Sequence, residues 1–297
     1  GVPWPVYPQS PLLHILAIII EYYGCQAMLK HAMHYRWSYR EEQEDFLRCA
    51  FTLGSGAEMA EQIMGRMNSY LPRLGVNPAS IPLIETSYHE LLALLDAHFA
   101  QMPYLLGSRP SIADYGLIAP LFAHLGRDPV PLAVMQQRAP RVHRWVERMT
   151  APGLDVVEYP QHEPGFVADD ALPATLEAVL QHIAGEIFPE LTDKLAFLQS
   201  WLDEHQPADR APVSERPQIR QVGMVQTRFR GADIEVGVEP YLLYLLQRAS
   251  AVMQAQSADK QQALTVELKS LGLADALPVQ HTYQVGRRDN LECWLKV

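Results

Sequence analysis

The stretch SRPSIADYGLIAPLFAHLG, residues 108–126, constrains the fold more than any other part of this 297-residue chain. After Asp114 it carries no Asp, Glu, Lys or Arg before Arg127. A helix that is apolar on nearly every face has to be buried on nearly every side. The sequence therefore predicts a helix that begins at Ser111 and lies at the centre of a helical bundle.

Ser111 and Asp114 predict how that helix starts. The Ser111 hydroxyl can accept a hydrogen bond from the Asp114 backbone N–H, and the Asp114 carboxylate can reach back to the Ser111 N–H. This is a capping box with Asp in the usual place of Glu. Pro110 disfavours helix before the cap, and an acidic side chain is favourable at the positive end of the helix dipole. We assign Ser111 and Asp114 a structural role as a helix cap.

Apolar residues at helical spacing predict further helices on both sides of this one. The expected helices cover Pro11 to about Met33, Glu41 to Leu71, Ile84 to Gln101 and residues 139–149, with two more in residues 172–205. The polar and aromatic residues 34–46 predict a break between the first two. Alternating patterns in residues 221–238 and 280–297 predict two β-hairpins, with helices in 239–253 and 260–273 between them.

These patterns predict a mainly α-helical protein in two parts. A helical bundle is expected over residues 1–150, and the Pro- and Gly-rich residues 151–165 are expected to form a linker. Residues 166–297 would then be a C-terminal extension of helices and β-hairpins, a small antiparallel β element included. We expect the extension to pack on the bundle, because an apolar bundle face left uncovered would be unfavourable.

Composition excludes several classes of function. The formal net charge is −10, so there is no excess of Lys and Arg to displace counterions from a nucleic acid. Three widely separated cysteines without a CxxC pair favour a reducing, cytoplasmic location over a disulfide framework. The longest apolar run, Leu12 to Ile20 with His14 inside it, is too short to span a bilayer, so no membrane partner is expected.

Residues 103–125, followed by APRVHRWVERM at 139–149, resemble the C-terminal, all-helical domain of the glutathione S-transferases. In that family a Gly, then Ser or Thr, then Ile-Ala-Asp opens the buried central helix, and an amphipathic helix with an aromatic residue follows a proline. The resemblance covers about residues 8–150, and residues 166–297 have no counterpart in the ordinary family. The residues that match the pattern are Gly107, Ser111, Ile112, Ala113, Asp114 and Trp145.

The resemblance implies a glutathione S-transferase-like protein, with glutathione as a co-substrate and no tightly bound cofactor. In the family an N-terminal thioredoxin-like domain binds glutathione and activates its thiol. Residues 1–13 resemble the linker that follows that domain, so we expect the domain to be absent from this chain and assign no catalytic residue. The chain would supply the hydrophobic co-substrate wall and the surface of a homodimer. The alternative is a non-catalytic binding or assembly module, a role that such helical domains also have.

The family's co-substrate wall comes mostly from the first helix of this domain and from the buried one. Side chains of this kind can stack on and orient a small hydrophobic or aromatic electrophile. The alternative is that they only pack the break between two helices. The substrate-binding candidates are Tyr22, Tyr23, Gln26, His34, Arg36, Trp37 and Tyr39.

Three further patterns carry weaker expectations. His31 and His34 stand three residues apart, as two metal ligands can, but a third ligand at compatible spacing is missing and no metal site is predicted. Cys25 lies within an apolar helix, which predicts a buried, inert thiol. The basic turns RFRGAD and GRRDN, at residues 228–233 and 286–290, could both face one anion.

Overall fold

The computed structural model describes residues 5–151, 158–214, 220–273 and 282–297. It confirms the expectation of a mainly α-helical protein with a small antiparallel β element. The helices are α1 (Pro11–Tyr22), α2 (Leu29–Trp37), α3 (Glu44–Ser55), α4 (Ala57–Asn68), α5 (Ile81–Phe99), α6 (Ile112–Ala123), α7 (Pro129–Arg138), α8 (Pro140–Thr150), α9 (Ala174–His205), α10 (Tyr241–Gln254) and α11 (Ala258–Ser270). The strands are β1 (Gly223–Phe229), β2 (Ala232–Val238), β3 (Tyr283–Arg288) and β4 (Leu291–Lys296).

The first helix, α1, lies within the hydrophobic core of the molecule. Ser10 caps α1, with its side chain accepting from the Leu13 N–H, and Pro11 occupies the first turn, where its missing N–H costs nothing. From Leu12 to Ile20 every α1 side chain except His14 is buried, because α6 packs on one part of its surface and α10 on another. A π-helical segment, Tyr23–Ala27, connects α1 to α2.

The combined helix Pro11–Trp37 is long and apolar enough to cross a membrane, judged by length and composition alone. Within the folded chain, however, 72% of its most apolar window is buried against other elements. Burial of this extent is typical of a helix in the core of a packed bundle. Its length also exceeds the apolar run seen in the sequence, because the π-helical segment lets the helix continue.

The helix predicted to be buried on nearly every side is α6, and this prediction was wrong: Tyr115 and Phe122 on one of its faces are 47% and 44% exposed, because no described element covers that face. The cap of α6 ties three elements together. The capping box between Ser111 and Asp114 is formed, and Asp114 Oδ2 accepts from the Ser111 N–H and from the Ser111 hydroxyl, each at 2.9 Å. The other carboxylate oxygen accepts from the Leu105 N–H at 3.0 Å and from the Trp145 indole N–H at 3.2 Å. Asp114 thus joins the start of α6 to α8 and to the preceding loop.

Several predicted boundaries were wrong. The helix before residues 34–46 continues to Trp37, since His34, Tyr35 and Trp37 are buried and packing extends it. The helix expected over 41–71 is divided into α3 and α4 at Gly56, whose φ of 80° ends α3. Residues 129–138 form α7, which the sequence analysis did not predict.

The two helices expected in residues 172–205 are one helix, α9, which continues through Pro189. Proline removes one backbone hydrogen bond and normally kinks or ends a helix. Here Ile187 and Leu191, on either side of Pro189, are both buried. The packing of α9 against α5 and β1 holds it together on both sides of the proline.

Both β-hairpins form as the sequence predicts. Strands β1 and β2 pair with Phe229 opposite Ala232, and the turn residues Arg230 and Gly231 both have positive φ, at 49° and 91°. Strands β3 and β4 pair around Asp289 and Asn290, whose φ values are 51° and 62°. Turns with two positive φ angles match the twist of an antiparallel pair. Asn-containing and Gly-containing turns are therefore the strongest local signals in this part of the chain.

The hairpins lie against the bundle at defined places. β1 and β2 pack on α9, and Val236 of β2 forms an isolated bridge with Leu74. α10 packs on α1, and β3 packs on α10. One hydrophobic cluster contains Leu16 of α1, Leu117 of α6, Leu180 of α9 and Leu245 of α10.

Part of the expected linker, residues 152–157, lies outside the described residues. Where the chain is described again, it returns to the bundle. The Ser108 N–H donates to the Gly165 carbonyl at 2.9 Å, and the Val167 N–H donates to the Leu106 carbonyl at 3.0 Å.

Candidate functional site

The π-helical segment Tyr23–Ala27 is the irregular part of an otherwise regular first helix. Its extra residue shows in the hydrogen bond from the Met28 N–H to the Tyr23 carbonyl, five residues earlier, at 3.0 Å. Single-turn π-helical segments inside α-helices occur frequently at functional sites. The segment changes the helical register, so that Cys25 is exposed and Gln26 is half-buried, next to the buried Tyr23 and Gly24.

The position of this segment is set by contact with α6. A Cβ atom added to Gly24 would lie 2.3 Å from the Gly116 carbonyl oxygen, and one added to Gly116 would lie 2.5 Å from the Glu21 Cα. Backbone meets backbone here, which only glycine permits. Cys25 follows Gly24 and its Sγ lies 3.9 Å from the same Gly116 carbonyl oxygen.

The expectation of a buried Cys25 was wrong, because the π-helical register turns this side chain towards solvent. Desolvation of the sulfur and the nearby Glu21 carboxylate nevertheless raise the pKa of the thiol. A thiol with a raised pKa is a poor nucleophile at neutral pH, since the thiolate is the reactive form.

The cleft that we call the lysine cleft lies between the π-helical segment, α9 and the β1–β2 hairpin. Its enclosed volume is about 60 Å³. Two of the predicted substrate-binding residues, Tyr22 and Gln26, line it. The other lining residues include both charged and apolar side chains; they are Leu29, Lys30, Arg73, Leu74, Glu190, Lys194, Gln221, Val236, Gly237, Glu239 and Leu242.

A buried carboxylate, Glu190, lies between Lys30 and Lys194, and we call these three residues the polar end of the lysine cleft. Glu190 Oε2 lies 2.8 Å from Lys30 Nζ, and Glu190 Oε1 lies 2.6 Å from Lys194 Nζ. Burial opposes ionisation of Glu190, but Lys194 and Lys30 outweigh it and lower the pKa of this carboxyl to about 2. Lys30 also lies 5.1 Å from the centroid of the Phe229 ring, which covers it from the hairpin side. Burial and the Glu190 charge raise the pKa of Tyr22, so its phenol stays protonated.

A second ionic group, centred on Glu186, lies one helical turn away on α9. Glu186 accepts from the Tyr23 phenol at 3.1 Å and from Arg230 Nε at 2.8 Å. Arg230 also bonds Glu90 of α5 at 2.5 Å. Arg230 therefore clamps the tip of the β1–β2 hairpin onto α5 and α9, and with it the wall of the lysine cleft.

The remaining predicted candidates lie apart from the lysine cleft. His34 and Tyr39 both contact Glu85 Oε1, at 3.1 and 2.6 Å. Arg36 makes two hydrogen bonds to the buried Asp128, at 2.6 and 2.7 Å. Trp37 is buried against Phe51.

The two histidines of the sequence pattern have separate partners. His31 Nε2 lies 2.8 Å from the Ser87 hydroxyl, whereas His34 contacts Ser38 and Glu85. Within residues 5–151, 158–214, 220–273 and 282–297, no three His, Cys, Asp or Glu side chains are placed to hold a metal ion. The burial of His31 lowers its pKa to about 3, so it is neutral at physiological pH.

A second cleft, of about 370 Å³, lies on the other side of the π-helical segment. Cys25, Tyr241 and Arg287 are among its lining residues, as is Arg220, which pairs with Glu292. The two basic turns therefore have different neighbours. Arg230 contacts carboxylates of α5 and α9, while Arg287 lies 5.8 Å from the ring centroid of Tyr244 on α10.

The charged residues of the lysine cleft were not predicted from the sequence, although a signal for them exists. Glu186, Glu190 and Lys194 recur every four residues along α9, and they share a face with buried apolar residues such as Ile183 and Ile187. Charged residues are almost never fully buried unless they are paired. A charged stripe on an apolar helical face thus indicates a buried ionic group, but it does not name the partner.

Comparison with known proteins agrees with this architecture. Residues 78–148 match the family model described as "Glutathione S-transferase, C-terminal domain", which spans α5 to α8. No curated protein and no solved structure matches the chain. The matched region contains the apolar helix α6, its Ser111–Asp114 cap and the indole of Trp145 that bonds this cap. Residues 78–148 therefore match the C-terminal domain of the glutathione S-transferases, as the resemblance predicted.

Proposed function

We propose that this chain forms the co-substrate-binding part of a glutathione S-transferase-like protein. Glutathione would be bound and its thiol activated by a thioredoxin-like domain that is not among the 297 residues. A small hydrophobic or aromatic electrophile would bind beside the first helix, next to the π-helical segment. The free thiols of Cys25 and Cys49 fit a cytosolic protein of this kind.

The observation that carries the proposal is the match of residues 78–148 to the family, together with the cleft on the first helix. A fold alone does not establish a function, so the site has to support it. In the lysine cleft, Tyr22 and Gln26 of the first helix face the apolar side chains of Leu29, Val236 and Leu242. An apolar wall with a few convergent polar groups is the usual composition of a small-molecule site.

Direct binding separates this proposal from its alternative. The full 297-residue chain is titrated by calorimetry with glutathione and with S-(2,4-dinitrophenyl)glutathione, the conjugate of a chloroaromatic electrophile. We expect the conjugate to bind and glutathione alone to show no binding. We also expect the chain to add nothing to the uncatalysed rate of conjugation. If neither ligand binds, the result favours the non-catalytic assembly module. If the chain alone catalyses conjugation, thiol activation does not require the thioredoxin-like domain and the proposal is contradicted.

Two matched variants locate the binding site. Leu29 is 38% exposed and lines the lysine cleft, so Leu29→Trp narrows the cleft with little cost to folding. Val266 on α11 is 58% exposed and does not line the lysine cleft, and Val266→Trp is the control. We expect only Leu29→Trp to weaken binding of the conjugate. Equal affinities of both variants for the conjugate would show that the co-substrate binds outside the lysine cleft.

We also propose that the protein is a homodimer, as the family resemblance implies. The apolar surface of α1 is covered by α6 and α10, so α1 is unsuited to the dimer contact. Exposed apolar side chains lie instead on the α3–α4 pair, among them Leu53 and Met59. Light scattering after gel filtration should give a mass near 67 kDa, about twice the 33.5 kDa of one chain. A mass of one chain at micromolar concentration would refute the dimer.

A further inference from the structure

We propose that the lysine cleft binds the compact oxyanion, carboxylate or phosphate, of a small ligand whose apolar part lies on Leu29, Leu74 and Leu242. This inference deepens the proposed function and rests on it for the identity of the site. It names the chemical class of the ligand, an organic anion, which the family match does not.

The formal charge of the cleft is positive in a chain that is strongly negative. Lys30, Lys194 and Arg73 line it, against Glu190 and Glu239, which leaves one positive charge. The whole chain carries −10. A site with a net positive charge attracts small anions more effectively where water is partly excluded than the same charges do in bulk water.

Each oxygen of Glu190 is paired with a lysine, so the two ammonium groups outweigh the charge of this carboxylate. The groups that remain for a ligand are donors. Lys194 Nζ makes one hydrogen bond among the described residues, to Glu190, and an ammonium has three N–H groups. Arg73 lines the same cleft and makes no ion pair with any described residue.

Tyr22 supplies the observation that points to a ligand. Its side chain is 2% exposed and lines the lysine cleft. Its hydroxyl has no hydrogen-bond partner among the residues that the structure describes, and it is not one of the fully buried polar atoms, so it is accessible from the cleft. A phenol held in place by a buried ring can therefore donate to a ligand without first breaking a bond to the protein. An anion in the cleft would accept from this phenol, which burial keeps in its protonated form.

The size of the cleft limits what the polar end can hold. A volume of 60 Å³ corresponds to about four water molecules at roughly 15 Å³ each. A carboxylate or phosphate group fits in place of those waters, whereas a larger ligand, the glutathione conjugate included, can place only one such group there. The rest of the ligand would have to extend towards the exposed Leu29 and Arg73 at the mouth.

The test uses the full chain and two anions of different origin, inorganic phosphate and butyrate, at an ionic strength held constant with sodium chloride. Binding is followed by calorimetry and by the rise of the melting temperature. We expect at least one of the two anions to bind at low millimolar concentration or better, and the one that binds more tightly identifies the source of the oxyanion. Equal stabilisation by chloride, phosphate and butyrate would overturn the proposal.

Two conservative variants localise the anion. Tyr22→Phe removes only the phenolic oxygen, and loss of its hydrogen bond to a charged ligand should weaken binding about tenfold. Arg73→Gln, at the exposed mouth, should weaken binding several-fold without changing the melting temperature of the free protein. Tyr70→Phe and Arg66→Gln are the controls and should bind as the unaltered chain does. Unchanged affinity in both Tyr22→Phe and Arg73→Gln would overturn the proposal.

Neither measurement needs glutathione or a thioredoxin-like domain. Failure of anion binding therefore leaves the transferase hypothesis standing, with a neutral electrophile as the co-substrate. Anion binding without binding of the glutathione conjugate would leave the oxyanion site standing and remove the transferase hypothesis.

Discussion

Gly24 and Gly116 meet backbone to backbone where the first helix crosses the central helix. An added Cβ on Gly24 would lie 2.3 Å from the Gly116 carbonyl oxygen and 2.8 Å from the Leu117 Cα. Neither of those atoms can move without displacing α6. This contact fixes the place at which the π-helical segment leaves the regular helix, and with it the positions of Cys25 and Gln26.

Gly24→Ala should therefore destabilise the protein. The methyl group forces two helices apart at a point where nothing flexible can yield, and overpacking of this kind costs about 1–3 kcal/mol. Urea denaturation followed by circular dichroism measures the change in the free energy of unfolding. Gly185→Ala on α9 is the matched control: its Cβ would meet nothing within 4 Å, and removing an exposed helical glycine should stabilise by about 0.5–1 kcal/mol. Similar effects of both substitutions would contradict the helix-crossing argument.

Arg230 and Arg228 lie on the same hairpin and should differ in their effect on stability. Arg230→Gln leaves Glu186 buried without its guanidinium partner, at a cost of about 2 kcal/mol. It should also raise the rate of proteolysis near Gly231, because the clamp to Glu90 is lost. Arg228 pairs with Asp233 where both side chains are largely exposed, so Arg228→Gln should stay within about 0.5 kcal/mol. Equal losses in the two variants would show that the clamp is not what holds the hairpin.

Arg36 and Asp128 should be coupled energetically. The guanidinium of Arg36 makes two hydrogen bonds to Asp128, which is fully buried, and a third to the Ala123 carbonyl at 2.8 Å. Arg36→Met should cost about 3–5 kcal/mol, since it leaves a buried carboxylate without its partner. Adding Asp128→Asn to that variant should restore part of the loss. A double-mutant cycle in urea should give a coupling energy above about 1 kcal/mol, and strictly additive losses would refute the pair.

His31 should make the protein less stable in acid. Burial lowers its folded pKa from 6.5 to about 3, with Lys30, His182 and His34 opposing protonation and Glu186 favouring it. Below pH 6.5 the unfolded chain therefore takes up a proton that the folded chain does not. The contribution of His31 is fully present above pH 6.5 and is lost as the pH falls towards 3.

Denaturation curves at pH 7 and pH 5 measure this effect. In His31→Gln the drop in the free energy of unfolding between the two pH values should be smaller than in the unaltered chain. His205→Gln, which changes an exposed histidine at the end of α9, should retain the full drop. An unchanged drop in His31→Gln would show that other groups carry the acid sensitivity.

Local patterns were sufficient for much of the fold. The cap at Ser111 and Asp114, the apolar character of α6 and the positive-φ residues at both hairpin turns can all be read from short stretches of sequence. Each depends on the chemistry of residues that are close together in the chain. Pro189 misled the same reasoning, because the packing of α9 outweighed the local preference of proline to end a helix.

The candidate site could be predicted only in part. Tyr22 and Gln26 were proposed because the resemblance indicates the first helix, and both line the lysine cleft. Arg36 and Trp37 were proposed on the same basis, but their positions against Asp128 and Phe51 depend on helices that follow later in the chain. A sequence pattern does not distinguish a side chain that faces a cleft from one that packs a helix break.

The sequence by itself determined that the chain forms several helices, one of them without a charge after its cap residue Asp114, and that two hairpins follow, because periodicity and turn chemistry are local. Only the tertiary structure decided the site. Lys30 pairs with Glu190 across 160 residues, and Gly24 meets Gly116 across 92. Lys30 and Glu190 form an ion pair because folding buries them next to each other, and the close approach of the Gly24 and Gly116 backbones positions the π-helical segment. The ion pair and the segment therefore depend on which distant elements pack together.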